Sequence, residues 1–226
     1  MKRPKALISW SSGKDCAFAL HEARKAGDYD IVGALTTVTE TFGRVSMHGV
    51  REEILRAQLA AAGLSPQVVP IPWPCPNDVY EARMAEAVRD ARGRGVTHMI
   101  FGDLFLEDVR AYRERKLAGT GIAPVFPLWG RPTAALAREM IASGLEARLV
   151  CVDTGQIDEK FAGREFGTAL LADLPPSADP CGENGEFHTC ITAGPMFSRG
   201  IAVMPGEIVR REQFVYADLM LNAHSE

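Results

Sequence analysis

Lys5-Ala6-Leu7-Ile8-Ser9-Trp10-Ser11-Ser12-Gly13-Lys14-Asp15-Cys16-Ala17-Phe18-Ala19-Leu20-His21-Glu22-Ala23 is the stretch whose reading decides the fold. The apolar run Ala6 to Trp10 reads as a strand, the small residues after it as a tight turn, and the pattern from Lys14 onward as a helix. With no spacer between turn and helix, the unpaired N–H groups of the first helical turn and the positive end of the helix dipole converge on one point. That is how a phosphate-binding loop is built, and Lys14 adds a mobile cation. The Walker A pattern does not fit, because Ile8 stands where its first glycine belongs and Asp15 follows the lysine. A ligand-free reading also fits these residues, with Ser11 or Ser12 as N-cap and Asp15 offsetting the helix dipole.

The rest of the chain supports a parallel sheet. Apolar runs at 6–10, 31–38, 67–71, 98–101, 123–126 and 147–152 alternate with helical patterns at 14–26, 48–62, 76–94, 106–118 and 133–143. Alternation of this kind predicts an α/β fold with a doubly wound parallel sheet and helices on both faces. Ligands of such sheets bind beyond the carboxyl ends of the strands, where the Ser11 to Asp15 turn lies. From Asp153 onward Gly and Pro become denser. The runs 187–192, 200–203 and 213–221 read as strands of a small α+β module, giving a division into residues 1–152 and 153–226.

Composition narrows the function. The 226 residues are 46% hydrophobic, enough for a full core, and the formal charge of −4 gives no basic footprint for duplex nucleic acid. No apolar run approaches the roughly 20 residues of a membrane span, so a cytoplasmic protein is expected. Five cysteines, Cys16, Cys75, Cys151, Cys181 and Cys190, are odd in number and suit reduced thiols. A homodimer is left open.

Three later segments carry chemistry-bearing residues. Phe101-Gly102-Asp103-Leu104-Phe105-Leu106-Glu107-Asp108-Val109-Arg110-Ala111-Tyr112-Arg113-Glu114 leaves a strand at Gly102-Asp103 and enters a helix, where Arg110 and Glu114 share a face, as an ordinary surface ion pair would. Pro127-Leu128-Trp129-Gly130-Arg131-Pro132 is a loop whose tryptophan suits a core wedge. Asp179-Pro180-Cys181-Gly182-Glu183-Asn184-Gly185-Glu186-Phe187-His188-Thr189-Cys190 packs two glutamates, an asparagine and a histidine into a turn that feeds a strand. Its spacing matches no zinc pattern, and no resident metal is expected. Its glycines would let backbone N–H groups approach a substrate, while its carboxylates could hold an ammonium ion or act as bases. A solvated Gly-rich hairpin is the plainer reading.

The loop Ser11-Ser12-Gly13-Lys14-Asp15-Cys16 resembles the S-G-G-x-D-S loop of the N-type ATP pyrophosphatases, with Ser12 for a glycine and Cys16 for a serine. Ser12 is tolerable there if that position does not need positive φ. Taken in order, the loop, G-D-x-x-x-x-D-x-R-x-x-x-E, P-L-W, C-G-E-N-G-E-F-x-T and Gly194-Pro195-Met196-Phe197 resemble the diphthine–ammonia ligase family over nearly the whole chain. The resemblance implies the adenine nucleotide alpha hydrolase-like fold and an AMP-forming ligase using ATP and Mg²⁺, which adenylates a small-molecule or protein-borne carboxylate and amidates it with ammonia. It implies that Ser11, Ser12, Gly13, Lys14, Asp15, Cys16 and Gly102 hold ATP, with Thr36, Thr37 and His48 near the adenosine. It also implies that Asp103, Arg110 and Glu114 face the cleft, and that Glu183 and Glu186 serve acceptor binding or ammonia capture beside Gly182, Asn184, Gly185, His188 and Thr189. Lys14, Asp15, Asp103, Glu183 and Glu186 are the expected catalytic set. Eukaryotic members commonly carry a glutamate where His188 stands, which leaves the acceptor open. The rival readings are a nucleotide sensor without turnover and a tRNA-modifying ATP pyrophosphatase.

Overall fold

The computed structural model describes residues 2–222. A first sheet takes β1 (Lys5–Ser9), β2 (Asp30–Thr39), β3 (Arg44–Val45), β4 (Ser65–Ile71), β5 (Val96–Ile100) and β6 (Ala123–Val125). Five of these run parallel in the order β4-β2-β1-β5-β6, while β3 pairs antiparallel with the last two residues of β2. The connecting helices are α1 (Lys14–Ala26), α2 (Glu52–Ala61), α3 (Asn77–Gly93), α4 (Glu107–Leu117) and α5 (Thr133–Ala142). Alternation along β1 divides the core. Ala6 and Ile8 pack with residues of α1, α2 and α5, whereas Leu7 packs on the other face with Ala87, Val88 and Ala91 of α3 and Leu117 of α4. Both faces of the sheet are therefore covered, as a parallel sheet requires.

A second, antiparallel sheet has the order β8-β7-β10-β9, with β7 (Glu146–Asp153), β8 (Phe187–Ala193), β9 (Val203–Arg211) and β10 (Phe214–Leu221). A short 3-10 turn (Glu159–Phe161) and α6 (Thr168–Asp173) lie between β7 and β8. Leu149, Phe187, Ile191 and Leu219 of this sheet share one core with Phe18 of α1 and Leu55 and Leu59 of α2. Packing of β8 on α1 lays its first residues over the loop that follows β1.

Several expectations are corrected. The run 147–152 is a strand, but it leaves the parallel sheet and pairs with β8 and β10. α2 begins at Glu52 rather than His48, because residues 44–51 fold into β3 and a turn in which Met47 and Gly49 take positive φ. Instead of a strand over 200–203, β9 starts at Val203 and runs to Arg211. Among the described residues, no helix is long and apolar enough to cross a membrane.

Candidate active site

The loop after β1 is held by its backbone. Ser12 is buried and sits at φ 70°, in the left-handed region. Serine thus occupies a conformation that glycine takes without cost, so the condition under which it is easily tolerated fails. Gly13 is the N-cap of α1 and offers no side-chain cap, so the helix meets the cleft through its backbone. A Cβ on Gly13 would stand 2.9 Å from His48 Cε1, and one on Gly102 would stand 2.7 Å from the backbone of Asp15 and Cys16. The two glycines let His48 and the end of β5 close in on the helix start. The Cys16 thiol ties the loop from inside, donating to Gly13 O (3.1 Å) and accepting from the Ser11 N–H (3.4 Å).

Strand β8 completes the loop from the other sheet. Ile191 N–H donates to Ser12 O (3.0 Å), and Thr189 Oγ1 accepts the Lys14 N–H (3.1 Å). Gln58, fully buried on α2, donates through Nε2 to Ser12 O (3.2 Å) and Ile191 O (2.8 Å) and accepts from Trp10 Nε1 (3.1 Å). These contacts give Thr189 a concrete part in the C-G-E-N-G-E-F-x-T run. Sequence reasoning missed Gln58, whose only signal was a polar residue on the apolar face of a helix.

Lys14 is not mobile. Its ammonium is buried between Asp15 Oδ2 (2.8 Å) and the carbonyl of Cys181, beneath the rings of Phe166 (5.4 Å) and Phe187 (5.5 Å). Burial opposes the charge, but Asp15 and the neighbouring Cys181 and Glu183 outweigh it and raise the lysine's pKa. The turn that supplies the Cys181 carbonyl is shaped by two carboxylates. Asp179 Oδ2 accepts the N–H groups of Cys181 and Glu183 (3.0 Å each), and Glu186 Oε1 accepts the Asp179 N–H (2.7 Å) and Asn184 Nδ2 (3.1 Å). Glu186 is therefore buried in the turn and does not line the cleft, and Asp179 is an organising residue that sequence reasoning passed over.

A cleft of about 560 Å³ opens between these parts, lined by Ser11, Lys14, Asp15, Cys16, His48, Gly102, Asp103, Arg113 and the residues Gly182, Glu183, Asn184, Gly185, His188 and Thr189. Glu183 Oε1 accepts the Leu104 N–H (2.7 Å), yet burial pushes its carboxyl up to about 7. The rings of His48 and His188 lie 4.6 Å apart. Burial, the facing His188 and Lys14 lower His48 to about 3, and burial with Lys14 lowers His188 to about 4, so both are neutral. His48 Nδ1–H donates to Thr189 O (3.2 Å), which leaves its Nε2 as an acceptor.

Asp103 meets Arg113 (3.4 Å), whose guanidinium also covers Phe101 (4.8 Å). Arg110 and Glu114 do not face the cleft. Arg110 bonds Glu114 (2.8 Å) at the surface and stacks on Trp129 (4.7 Å) and Phe126 (5.0 Å). The motif match put Arg110 in the cleft, but the arginine that lines it is Arg113, one turn further along α4.

Beside the cleft, sharing Ser9, Ser11, Ser46, Phe101 and Arg113 with it, is an apolar compartment of about 210 Å³ with walls from Trp10, Leu35, Met84, Val88 and Met99. Thr36 and Thr37 line this compartment and not the cleft itself. The Thr36 hydroxyl is buried there without a hydrogen-bond partner. Among the described residues no three His, Cys, Asp or Glu side chains converge as a metal site. Cys181 donates to Thr133 O (3.5 Å), Cys190 faces Gln58 and His188 faces His48, so these three side chains point apart.

Residues 132–221 match the family model described as the diphthamide synthase C-terminal domain. The likeness to the diphthine–ammonia ligase family is borne out. The diphthine–ammonia ligase of Rattus norvegicus is 29% identical over 139 residues, covering 59% of this chain and 50% of that protein. That of Danio rerio is 32% identical over 118 residues, covering 50% and 46%. The Schizosaccharomyces pombe ligase is 28% identical over 93 residues, 39% of this chain and 15% of its own. The match thus spans about half the length of the rat and zebrafish ligases.

Proposed function

We propose that the cleft activates a carboxylate with ATP, releasing pyrophosphate, and converts it to an amide with ammonia, the co-substrate that the names of the similar diphthine–ammonia ligases carry. One observation carries the reading: a single cleft is lined at once by Ser11 and Lys14–Cys16 of the first loop, by Gly102-Asp103, and by Gly182–Gly185 and Phe187–Thr189 of the turn, although Ser12, Gly13 and Glu186 stand back from it. The first is an anion site at a helix N-terminus, and the last supplies a carboxyl whose pKa of about 7 suits proton transfer. On this reading the parallel sheet is the doubly wound, adenine nucleotide alpha hydrolase-like half that holds ATP, and the segment from 153 onward shapes the acceptor side. The protein would work in the cytoplasm.

The residues fit such a nucleotide. The start of α1 beyond the Lys14 N–H, which Thr189 already holds, and the Ser11 hydroxyl suit phosphate oxygens, and Arg113, at the junction of cleft and compartment, suits their charge. An apolar slot with one orphaned hydroxyl, Thr36 Oγ1, suits a base carrying a polar edge. Mg²⁺ would be held mainly by the nucleotide's own phosphates, with Asp15 and Asp103 the cleft carboxylates beside them, and would neutralise charge on the departing pyrophosphate. The substrate oxygen forms a bond to the α phosphorus as the α–β bridging bond breaks. The nitrogen of ammonia then bonds the acyl carbon, and AMP leaves with the C–O electron pair. Glu183 takes the proton that ammonium loses in becoming a nucleophile. Lys14 acts on the phosphates indirectly, by holding Asp15 and the turn in place.

Incubation of the protein with ATP, Mg²⁺, ammonium and candidate carboxylates or cell extract, followed by nucleotide chromatography, tests this. AMP and pyrophosphate are expected. ADP under every condition, or no turnover at all, would overturn the ligase reading.

A further inference from the structure

The second sheet ends on β9, whose outer edge has no strand partner among the described residues. Met204, Ile208 and Val209 on this strand are 40, 65 and 39% exposed. An edge with unpaired N–H and C=O groups and aliphatic side chains is a template for another strand unless something blocks it. The first half is blocked. Pro205 lacks a donor, and between the pairs Leu219 with Pro205 and Ala217 with Ile208 the register shifts, so Gly206 and Glu207 together oppose Asp218. The second half, Ile208-Val209-Arg210-Arg211, is regular and open, with Glu207 at its boundary with the bulge.

We propose that this half pairs with its own copy in a second molecule, forming an antiparallel dimer whose two-fold axis passes beside Val209. Two-fold pairing of identical strands sets residues of constant number sum opposite each other. Centred on Val209, it places Glu207 opposite the partner subunit's Arg211 and Arg211 opposite the partner subunit's Glu207, while Ile208 lies along the stem of the partner subunit's Arg210. Centring on Ile208 instead puts Glu207 against a valine and Arg211 against Pro205, leaving both without a charge partner, while Arg210 is held in either register by Glu159 of its own chain (2.9 Å). The charge pattern therefore selects both the occupant, another copy of this chain, and its register. Val209 pairs with Tyr216 and Arg211 with Phe214 in β10, so Val209 and Arg211 share one face, and Glu207 leaves the bulge next to them. On that face Arg211 rests over the exposed Phe42 (5.7 Å), itself against the exposed Trp73 (6.0 Å), which carries apolar surface past the strand. None of these residues lines the cleft, so the inference stands apart from the ligase reading.

Light scattering with size exclusion at roughly 100 μM, where an interface of micromolar affinity is occupied, should give a dimer. Glu207→Arg and Arg211→Glu alone should each give a monomer, and the two together should restore the dimer, which a merely unfolded edge would not do. In a Cys75→Ser background, Val209→Cys should cross-link under mild oxidation, since facing Cα atoms about 4.5–5.5 Å apart suit a disulfide, and Ile208→Cys should not. A monomeric wild type, or a dimer indifferent to both single charge changes, would overturn the proposal.

Discussion

The loop after β1 and the turn from Asp179 to Thr189 face each other across one cleft but are held in opposite ways. The loop owes its shape to backbone geometry: a left-handed Ser12, glycines at 13 and 102 that admit close neighbours, and main-chain bonds to β8. The turn owes its shape to buried carboxylates, Asp179 and Glu186, that gather its N–H groups. Lys14 joins the two, donating its backbone N–H to Thr189 Oγ1 and its ammonium to Asp15 and Cys181 O. The loop can therefore be improved by relieving strain, whereas the turn can only be harmed by losing an acceptor.

Breaking the joint has the largest expected effect. Lys14→Met leaves Asp15 and the Cys181 carbonyl without their cation, and a urea melt should show a loss of about 3–5 kcal/mol. Asp179→Ala strips two N–H groups of their acceptor in the turn alone and should cost about 2–3 kcal/mol by the same measurement. Ser12→Gly acts in the opposite direction. It removes both the left-handed strain and a buried hydroxyl without a partner, and should raise stability by about 1 kcal/mol. If Ser12→Gly destabilised the protein, the description of the loop as strained would be wrong.

The smallest expected effect is in pH, because two sets of groups oppose one another. His48 and His188, depressed to about 3 and about 4 from 6.5, contribute stability above 6.5 that is lost as pH falls toward those values. Glu183, raised from 4.5 to about 7, does the reverse: its contribution grows as pH falls through 7 and is complete below 4.5. Removing the carboxyl with Glu183→Gln should therefore steepen acid destabilisation, seen by comparing melts at about pH 5 and about pH 7. An unchanged slope would mean that Glu183 is not buried as described.

The same contrast explains what the sequence revealed. Strand β1, helix α1 and the loop between them are legible because they are local: an apolar run, small residues and a helical period decide them. Strand β7 was legible as a strand but not as a member of the second sheet, since an apolar run does not name its partner. Partners also decided the fates of Lys14, Glu186 and Arg110. A lysine beside a phosphate loop reads as a free cation until Cys181 and Phe187, far along the chain, close over it. Arg110 and Arg113 stand one turn apart on α4 and differ in the neighbours that meet them, Phe126 and Trp129 for one and Asp103 and Phe101 for the other, and Thr189 and Gln58 matter through contacts 175 and 46 residues away.

Hydrogen–deuterium exchange, with and without ATP and Mg²⁺, tests most directly whether loop and turn form one nucleotide site. The account predicts slower exchange both in residues 11–17 and in residues 179–190. Protection confined to the loop, with the turn unchanged, would contradict it.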